Sequence, residues 1–90
     1  MIDELYAIIR DRQENPKEGS YTNKLLNEGY DRCAQKVGEE AVEVIIAAGK
    51  QGRERLIEES ADLIYHLLVL LVQQGVSLEE VKAELRERHK

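Results

Sequence analysis

Five acidic side chains stand at helical spacing in two central segments of the sequence. Glu39, Glu40 and Glu43 fall close together in the first segment, and Glu59 and Asp62 form a second group. Like charges at this spacing repel one another on a helix unless a cation lies between them. Carboxylate oxygens without cysteine ligands suit Mg²⁺ or Mn²⁺ better than zinc. Magnesium commonly accompanies phosphates, so the pattern indicates metal-assisted phosphoryl chemistry.

The segments that carry these carboxylates are predicted to be helices. The sequence has no sustained apolar–polar alternation and no Phe or Trp, so no strand is expected. Apolar residues instead recur at the spacing of amphipathic helices. Five helices are expected. The first covers about residues 2–13, and the second runs from a Ser20 cap to near Gly29. The third and fourth cover about residues 30–48 and 53–74, and the fifth begins after a Ser77 cap. This pattern predicts an all-α fold, a small bundle of about five helices in one domain over residues 1–90.

The third and fourth helices place the acidic residues against apolar surface. At about 100° per residue, the third helix has one broad apolar face with Glu40 at its edge. That face comprises Cys33, Ala34, Val37, Ala41, Val44, Ile45 and Ala48. The fourth helix is apolar nearly all round over residues 63–72, which predicts that it is buried. Its polar stripe, which consists of Glu59, Asp62, His66 and Gln73, is therefore expected to face protein rather than water.

Buried carboxylates on this stripe need a partner. Each costs several kcal/mol unless it is protonated, paired or bound to metal. If the two helices are antiparallel neighbours, both acidic groups supply ligands at one place. Glutamates that only face solvent are the alternative. A di-iron site is disfavoured because it needs Glu-x-x-His motifs, and Leu63 stands three residues before His66.

Three segments of the sequence resemble one family. KVGEEAVE at residues 36–43, ESADLIYHLLVL at residues 59–70 and GSYT at residues 19–22, with Lys24, are similar to phosphoribosyl-ATP pyrophosphohydrolases. The likeness covers about residues 4–88. The wider MazG-like superfamily of all-α nucleoside triphosphate pyrophosphohydrolases shares the two acidic motifs, so these indicate the reaction type. The GSYT and DLIYH strings narrow the resemblance to the histidine pathway.

The resemblance implies an activity and a set of ligands. The expected reaction is Mg²⁺-dependent hydrolysis of phosphoribosyl-ATP to phosphoribosyl-AMP and pyrophosphate, the second step of histidine biosynthesis, with Mn²⁺ as the alternative ion. Glu40, Glu43, Glu59 and Asp62 are the expected metal ligands, and Glu39 is a further ligand or a neighbouring base. A homodimer or higher homo-oligomer is also implied. Some relatives are fused to the cyclohydrolase of the next step, so a separate cyclohydrolase is expected to act on the product here.

Cations near the acidic motifs are the first candidates for binding substrate phosphates. Lys36 stands one turn before Glu40 on the same face, so it contacts phosphate or forms an ion pair with Glu40. Lys24 and Arg12 are further candidates, chosen from helix positions near the loop and from the resemblance. A bound metal ion and these few cations would neutralise the charge of the substrate locally, so an acidic protein could still bind an anion.

Polar residues near the loop are the second group of candidates. Ser20, Tyr21 and Thr22 could offer hydroxyls and N-terminal helix N–H groups to phosphate. A helix cap and a packed tyrosine are the alternative interpretation of the same residues. His66 either supports a metal ligand or is a hydrogen-bonded core residue.

Composition bounds the partners and the compartment. Thirteen basic against 18 acidic residues give a net charge of −5, which argues against nucleic-acid binding. Cys33 is the single cysteine and cannot form an internal disulfide. The start of the sequence lacks a signal-peptide pattern, and the apolar run 63–72 is shorter than the roughly 20 residues of a membrane span. A cytoplasmic protein without a membrane segment is expected, and its small core favours oligomerisation.

Two other functions stay open on the sequence alone. A house-cleaning hydrolase of unwanted nucleoside triphosphates would use the same metal chemistry on a different substrate. A non-catalytic helical dimerisation module would carry acidic residues that are only solvated, and it would not bind Mg²⁺. Turnover of phosphoribosyl-ATP against ordinary nucleotides distinguishes these functions.

Overall fold

The protein folds as a bundle of five α-helices, described over residues 1–89 by a computed structural model. The helices are α1 (Ile2–Glu14), α2 (Tyr21–Glu28), α3 (Tyr30–Ile46), α4 (Arg53–Gln74) and α5 (Leu78–Arg88). Residues 1–89 contain no strand. The predicted all-α fold is therefore confirmed.

Side-chain caps fix the start of two helices, as the sequence predicts. Ser20 Oγ accepts the backbone N–H of Asn23 at 3.2 Å and begins α2. Before α5, Ser77 Oγ accepts the Glu80 N–H at 3.2 Å, and the Glu80 carboxylate accepts the Ser77 N–H at 2.9 Å. This reciprocal capping box satisfies two helix-end donors. The bonds from the Ser77 backbone and hydroxyl lower the pKa of Glu80.

The connection between α3 and α4 differs from the prediction. The α-helix ends at Ile46, and the chain continues as a π-helical turn over Ala47–Gln51. Gly52 then has φ of +89°, a conformation that favours glycine, and α4 begins at Arg53. The short connection folds α4 back along α3, so the two helices that carry the acidic motifs pack as neighbours.

The core lies between the first four helices. Its buried members come from α1 to α4 and are Ile9, Leu25, Cys33, Leu68, Val69 and Val72. The last helix, α5, is attached more loosely. The Tyr6 hydroxyl donates to the carbonyl of Val76 at 2.8 Å, Lys82 pairs with Asp3, and Leu78 packs against the core.

Burial of α3 and α4 is less complete than predicted. Ile45 on the predicted apolar face of α3 is 71% exposed, and Ala48 beyond it is exposed too. On α4, Ile64 and Leu67 are exposed, so the expectation of a helix buried all round is wrong for a single chain. The reason is size, because a chain of ninety residues has too few helices to surround a 22-residue helix.

The polar stripe of α4 is divided between protein and solvent. Glu59 and His66 are buried as expected, whereas Asp62 is exposed and Gln73 is half-buried. The prediction that the whole stripe faces protein is therefore wrong for Asp62.

Within residues 1–89, no single helix is long and apolar enough to cross a membrane, although α4 and α5 taken together, with a 111° bend between them, meet that test.

Candidate active site

Three carboxylates from α3 and α4 converge at one place. Glu40, Glu59 and Asp62 each offer an oxygen atom, and these three atoms lie within 4.8 Å of one another. The pairing of α3 with α4 brings them together, since Glu40 stands on one helix and Glu59 and Asp62 are one turn apart on the other. The three side chains range from buried (Glu59) through half-buried (Glu40) to exposed (Asp62), so the cluster is open to solvent on one side.

The donor set of this cluster fits a hard divalent cation. All three ligand atoms are carboxylate oxygens, and Mg²⁺ and Mn²⁺ prefer oxygen donors over the nitrogen and sulfur donors that zinc takes. Three oxygens leave coordination positions for water or substrate, as is usual for Mg²⁺ in phosphate sites. The structure thus contains a candidate metal cluster, which we call the acidic cluster (Glu40, Glu59 and Asp62).

Glu39 and Glu43, the other two predicted acidic residues, lie outside the acidic cluster. Glu39 is half exposed, and its carboxylate accepts a hydrogen bond from Gln35 at 2.9 Å. That bond and nearby Lys36 lower the pKa of Glu39. Glu43 is half-buried one turn after Glu40 on α3. Both residues therefore flank the acidic cluster along α3.

Lys36 is an ion-pair partner of the acidic residues on α3. Its Nζ lies 3.5 Å from Glu39 and 3.8 Å from Glu40, and the side chain is only 18% exposed. This is the ion pair that the sequence offered as an alternative to phosphate binding. The structure thus pairs Lys36 with two carboxylates of α3, and phosphate binding by Lys36 stays a prediction.

Arg55 is a second cation at the acidic cluster, and it is not among the residues predicted from the sequence. Its Nη2 lies 2.5 Å from Oε1 of Glu59, and its Nη1 lies 2.5 Å from Oε1 of Glu58. Glu58, and then Glu59, raise the pKa of the guanidinium. The signal was present in the sequence, because Arg55 precedes Glu59 by one helical turn.

A group of polar side chains links α2 to α4 beside the acidic cluster. His66 Nδ1 lies 2.8 Å from the carbonyl oxygen of Asp62, and its Nε2 lies 3.2 Å from the hydroxyl of Tyr21. A carbonyl oxygen only accepts, so Nδ1 carries the proton and, in the neutral ring, Nε2 accepts from Tyr21. Next to this pair, the hydroxyls of Thr22 and Tyr65 are hydrogen-bonded. We call these four residues the α2–α4 link.

The loop before α2 forms an open cleft of about 640 Å³. Among the predicted substrate contacts, Ser20, Tyr21 and Lys24 line this cleft. Thr22 is instead bonded to Tyr65, as described above. Arg12 lies 3.4 Å from Asp11, with which it forms an ion pair at the surface.

The buried side chain of Asn23 holds this loop in place. Its Oδ1 accepts the backbone N–H of Lys17 at 2.8 Å, and its Nδ2 donates to the carbonyl of Arg12 at 2.7 Å. Asn23 is 6% exposed, so it ties the loop between α1 and α2 to the protein interior. This role was not predictable from the sequence, because an asparagine in a helix shows no pattern that distinguishes a buried residue from one at the surface.

The fold and the site define the class of protein: a small all-helical bundle with a cluster of three carboxylates between two neighbouring helices, which is a candidate site for a divalent cation. Comparison with known proteins then places it more closely. The family model described as phosphoribosyl-ATP pyrophosphohydrolase matches residues 2–89. The chain belongs to this family, and the resemblance drawn from the sequence motifs is confirmed.

Relatives in archaea and bacteria align with nearly the whole chain. The phosphoribosyl-ATP pyrophosphatase of Sulfurisphaera tokodaii is 58% identical over 90 residues, which are 100% of this chain and 96% of that protein. The protein of the same name from Metallosphaera sedula is 54% identical over 90 residues, covering 100% of this chain and 97% of the relative. The histidine biosynthesis bifunctional protein HisIE of Oceanobacillus iheyensis is 48% identical over 89 residues, covering 99% of this chain but 41% of that protein.

Proposed function

We propose that this protein hydrolyses phosphoribosyl-ATP to phosphoribosyl-AMP and pyrophosphate with the help of Mg²⁺ bound at the acidic cluster. The observation that carries the proposal is the convergence of Glu40, Glu59 and Asp62 in a chain of this family. The names of the aligned relatives supply the substrate and the pathway, histidine biosynthesis. Mn²⁺ is expected to replace Mg²⁺, since both ions prefer oxygen ligands.

The carboxylates of the acidic cluster hold the cation. Glu40, Glu59 and Asp62 would supply one oxygen each, with Glu43 one turn further on α3 as a fourth ligand and Glu39 as a ligand or base at the edge. A divalent cation bound there supplies positive charge that neutralises the phosphates of the substrate and of the pyrophosphate leaving group. The position of Asp62 at the exposed side of the cluster leaves that side open to a polyphosphate.

Residues of the protein orient the substrate around the cluster. Lys36, held beside Glu40, provides a fixed cation for a phosphate. Ser20, Tyr21 and Lys24 line the cleft at the start of α2 and offer hydroxyl and ammonium donors. Tyr21 also reaches His66, so the cleft is connected through the α2–α4 link to the backbone of Asp62.

A homodimer is the proposed assembly. Six large apolar residues are exposed on the neighbouring helices α3 and α4, at spacings that keep each set on one side of its helix. They are Val42, Ile45, Ile46, Ile57, Ile64 and Leu67, and we call them the α3–α4 apolar surface. Exposed apolar surface of this extent in a small chain marks a site of association. A second copy would complete the core that one chain leaves open.

The cellular compartment and the enzyme of the next step are also part of the proposal. We propose that this single domain works in the cytoplasm, where its one cysteine, the buried Cys33, stays a free thiol. A separate cyclohydrolase would act on phosphoribosyl-AMP. The bifunctional name of the Oceanobacillus iheyensis relative supports that partnership of activities.

Release of pyrophosphate tests the proposed reaction. Phosphoribosyl-ATP, ATP and dCTP are incubated separately with the protein, with Mg²⁺ or with a chelator. The proposal predicts rapid release from phosphoribosyl-ATP that stops in chelator, with little release from the other two nucleotides. Faster release from ATP or dCTP would contradict the role in histidine biosynthesis and would indicate a house-cleaning hydrolase of nucleoside triphosphates. Absence of pyrophosphate release from all three nucleotides would contradict the proposal that the protein is a pyrophosphohydrolase.

A further inference from the structure

The ion pair between Arg55 and Glu59 engages a proposed metal ligand. Glu59 is the most buried member of the acidic cluster, with its side chain 8% exposed, and its Oε1 lies 2.5 Å from Nη2 of Arg55. Arg55 itself is 47% exposed. A half-exposed guanidinium therefore balances the charge of a carboxylate that is itself withdrawn from water.

We infer that Arg55 competes with the divalent cation for Glu59 and thereby sets the metal affinity of the site. This inference rests on the proposed metal role of the acidic cluster. Glu59 Oε1 accepts a charge-assisted hydrogen bond from Nη2 of Arg55, and an oxygen atom so engaged has less negative charge to offer a metal ion. A guanidinium and a divalent cation on the same carboxylate also repel each other at close range.

Arg55 has an alternative partner that makes its release from Glu59 easy. Its Nη1 is already 2.5 Å from Oε1 of Glu58, which is 60% exposed. When a cation takes Glu59, Arg55 keeps Glu58 and turns its other nitrogen atoms to water. Glu59 is only 6% exposed, so its charge depends more on a nearby cation than the charge of the exposed Glu58 does.

Arg55→Gln tests this competition, with Arg53→Gln as its matched control. Arg53 is exposed on the same first turns of α4, so its replacement removes the same charge close by without touching the Glu59 pair. Mn²⁺ serves as the probe, and its dissociation constant is measured by titration calorimetry or by the electron paramagnetic resonance of free Mn²⁺. Arg55→Gln is expected to bind Mn²⁺ about fivefold more tightly than the natural protein, whereas Arg53→Gln changes affinity by less than about twofold.

A second readout needs no metal. In chelator, Arg55→Gln is expected to lower the thermal unfolding midpoint by about 4 °C, because Glu59 loses its counter-charge. Arg53→Gln should leave the midpoint close to that of the natural protein. Arg55→Lys keeps the charge but loses the planar pair of donors. It should show a smaller gain in Mn²⁺ affinity, and it carries the test if the glutamine variant does not fold.

The outcomes separate this inference from the proposed function. Mn²⁺ binding by the natural protein, with equal or weaker binding by the Arg55 variants, would overturn the competition and leave the metal site standing. Equal tightening by Arg53→Gln and Arg55→Gln would also overturn it, since general charge would then explain the gain. No Mn²⁺ binding by the natural protein would overturn the metal site and the competition together.

Discussion

The hydroxyl oxygen of Tyr21 lies 3.2 Å from Nε2 of His66, while the other ring nitrogen of His66 lies 2.8 Å from the carbonyl oxygen of Asp62. One imidazole therefore joins the start of α2 to the backbone of a proposed metal ligand on α4. The ring is 7% exposed and stacks edge-on against both Tyr21 and Tyr65. Packing and hydrogen bonds together hold the ring between the start of α2 and the backbone of α4.

Removal of the Tyr21 hydroxyl is expected to reduce catalysis. Tyr21→Phe keeps the ring but leaves Nε2 of the buried His66 without its donor, which costs about 1 kcal/mol of stability. Turnover of phosphoribosyl-ATP should fall by about fivefold, because the cleft loses its connection to α4. Tyr30→Phe is the control, since Tyr30 is 54% exposed. Equal turnover in both variants would show that the connection has no catalytic role.

The capping box of α5 predicts a pH-dependent contribution to stability. The pKa of Glu80 is lowered below its ordinary 4.5 by the bonds from Ser77, so the folded state favours the ionised carboxylate. The stabilisation is complete above pH 4.5 and is lost as the pH falls through the lower pKa of the folded state. Glu80→Gln should therefore unfold more easily than the natural protein at pH 7, with a difference that shrinks below pH 4.5.

Loss of the cap itself provides a companion measurement. Ser77→Ala removes the hydroxyl that accepts the Glu80 N–H, and it is expected to cost about 1 kcal/mol in urea unfolding. Unchanged stability in both Ser77→Ala and Glu80→Gln at pH 7 would mean that α5 frays without affecting global unfolding.

The α3–α4 apolar surface predicts the oligomeric state. Ile45 is 71% exposed in one chain, so Ile45→Glu places a charge where a second copy would cover it. We expect the natural protein to sediment as a dimer at micromolar concentration and Ile45→Glu as a monomer that keeps its helical circular dichroism. Leu85→Glu on α5, which changes a residue that is 54% exposed, should remain a dimer. A monomeric natural protein, or a dimeric Ile45→Glu, would contradict the proposed surface.

Periodicity and capping residues were sufficient to predict the helices. Ser20 and Ser77 gave the starts of α2 and α5, and the glycines between helices gave the breaks, because these are local features of the chain. The π-helical turn at Ala47–Gln51 was not predictable, since a π turn has no side-chain period of its own within so few residues. Burial was also misjudged at Ile64 and Leu67, because an apolar pattern does not say whether another helix or another chain covers it.

The candidate site was predicted in its acidic part and less completely around it. Spacing placed Glu40, Glu59 and Asp62 on adjacent helices, where the structure brings their oxygens together. The pairing of Arg55 with Glu59 and the bonds of Asn23 depend on rotamers and neighbouring backbone. Several arginine and asparagine side chains of the sequence could have made contacts of this kind, so the sequence alone does not show that Arg55 and Asn23 make them.

The acidic cluster itself is tested most directly at Asp62. Asp62→Asn removes one proposed ligand at an exposed position, so stability should change by less than about 0.5 kcal/mol. Asp31→Asn makes the same chemical change at another exposed position, at the start of α3. The measurement is Mg²⁺-dependent release of pyrophosphate from phosphoribosyl-ATP by both variants and the natural protein. We predict a loss of about a hundredfold or more in Asp62→Asn, with full activity in Asp31→Asn. Full activity in Asp62→Asn would contradict the assignment of the acidic cluster as the catalytic metal site.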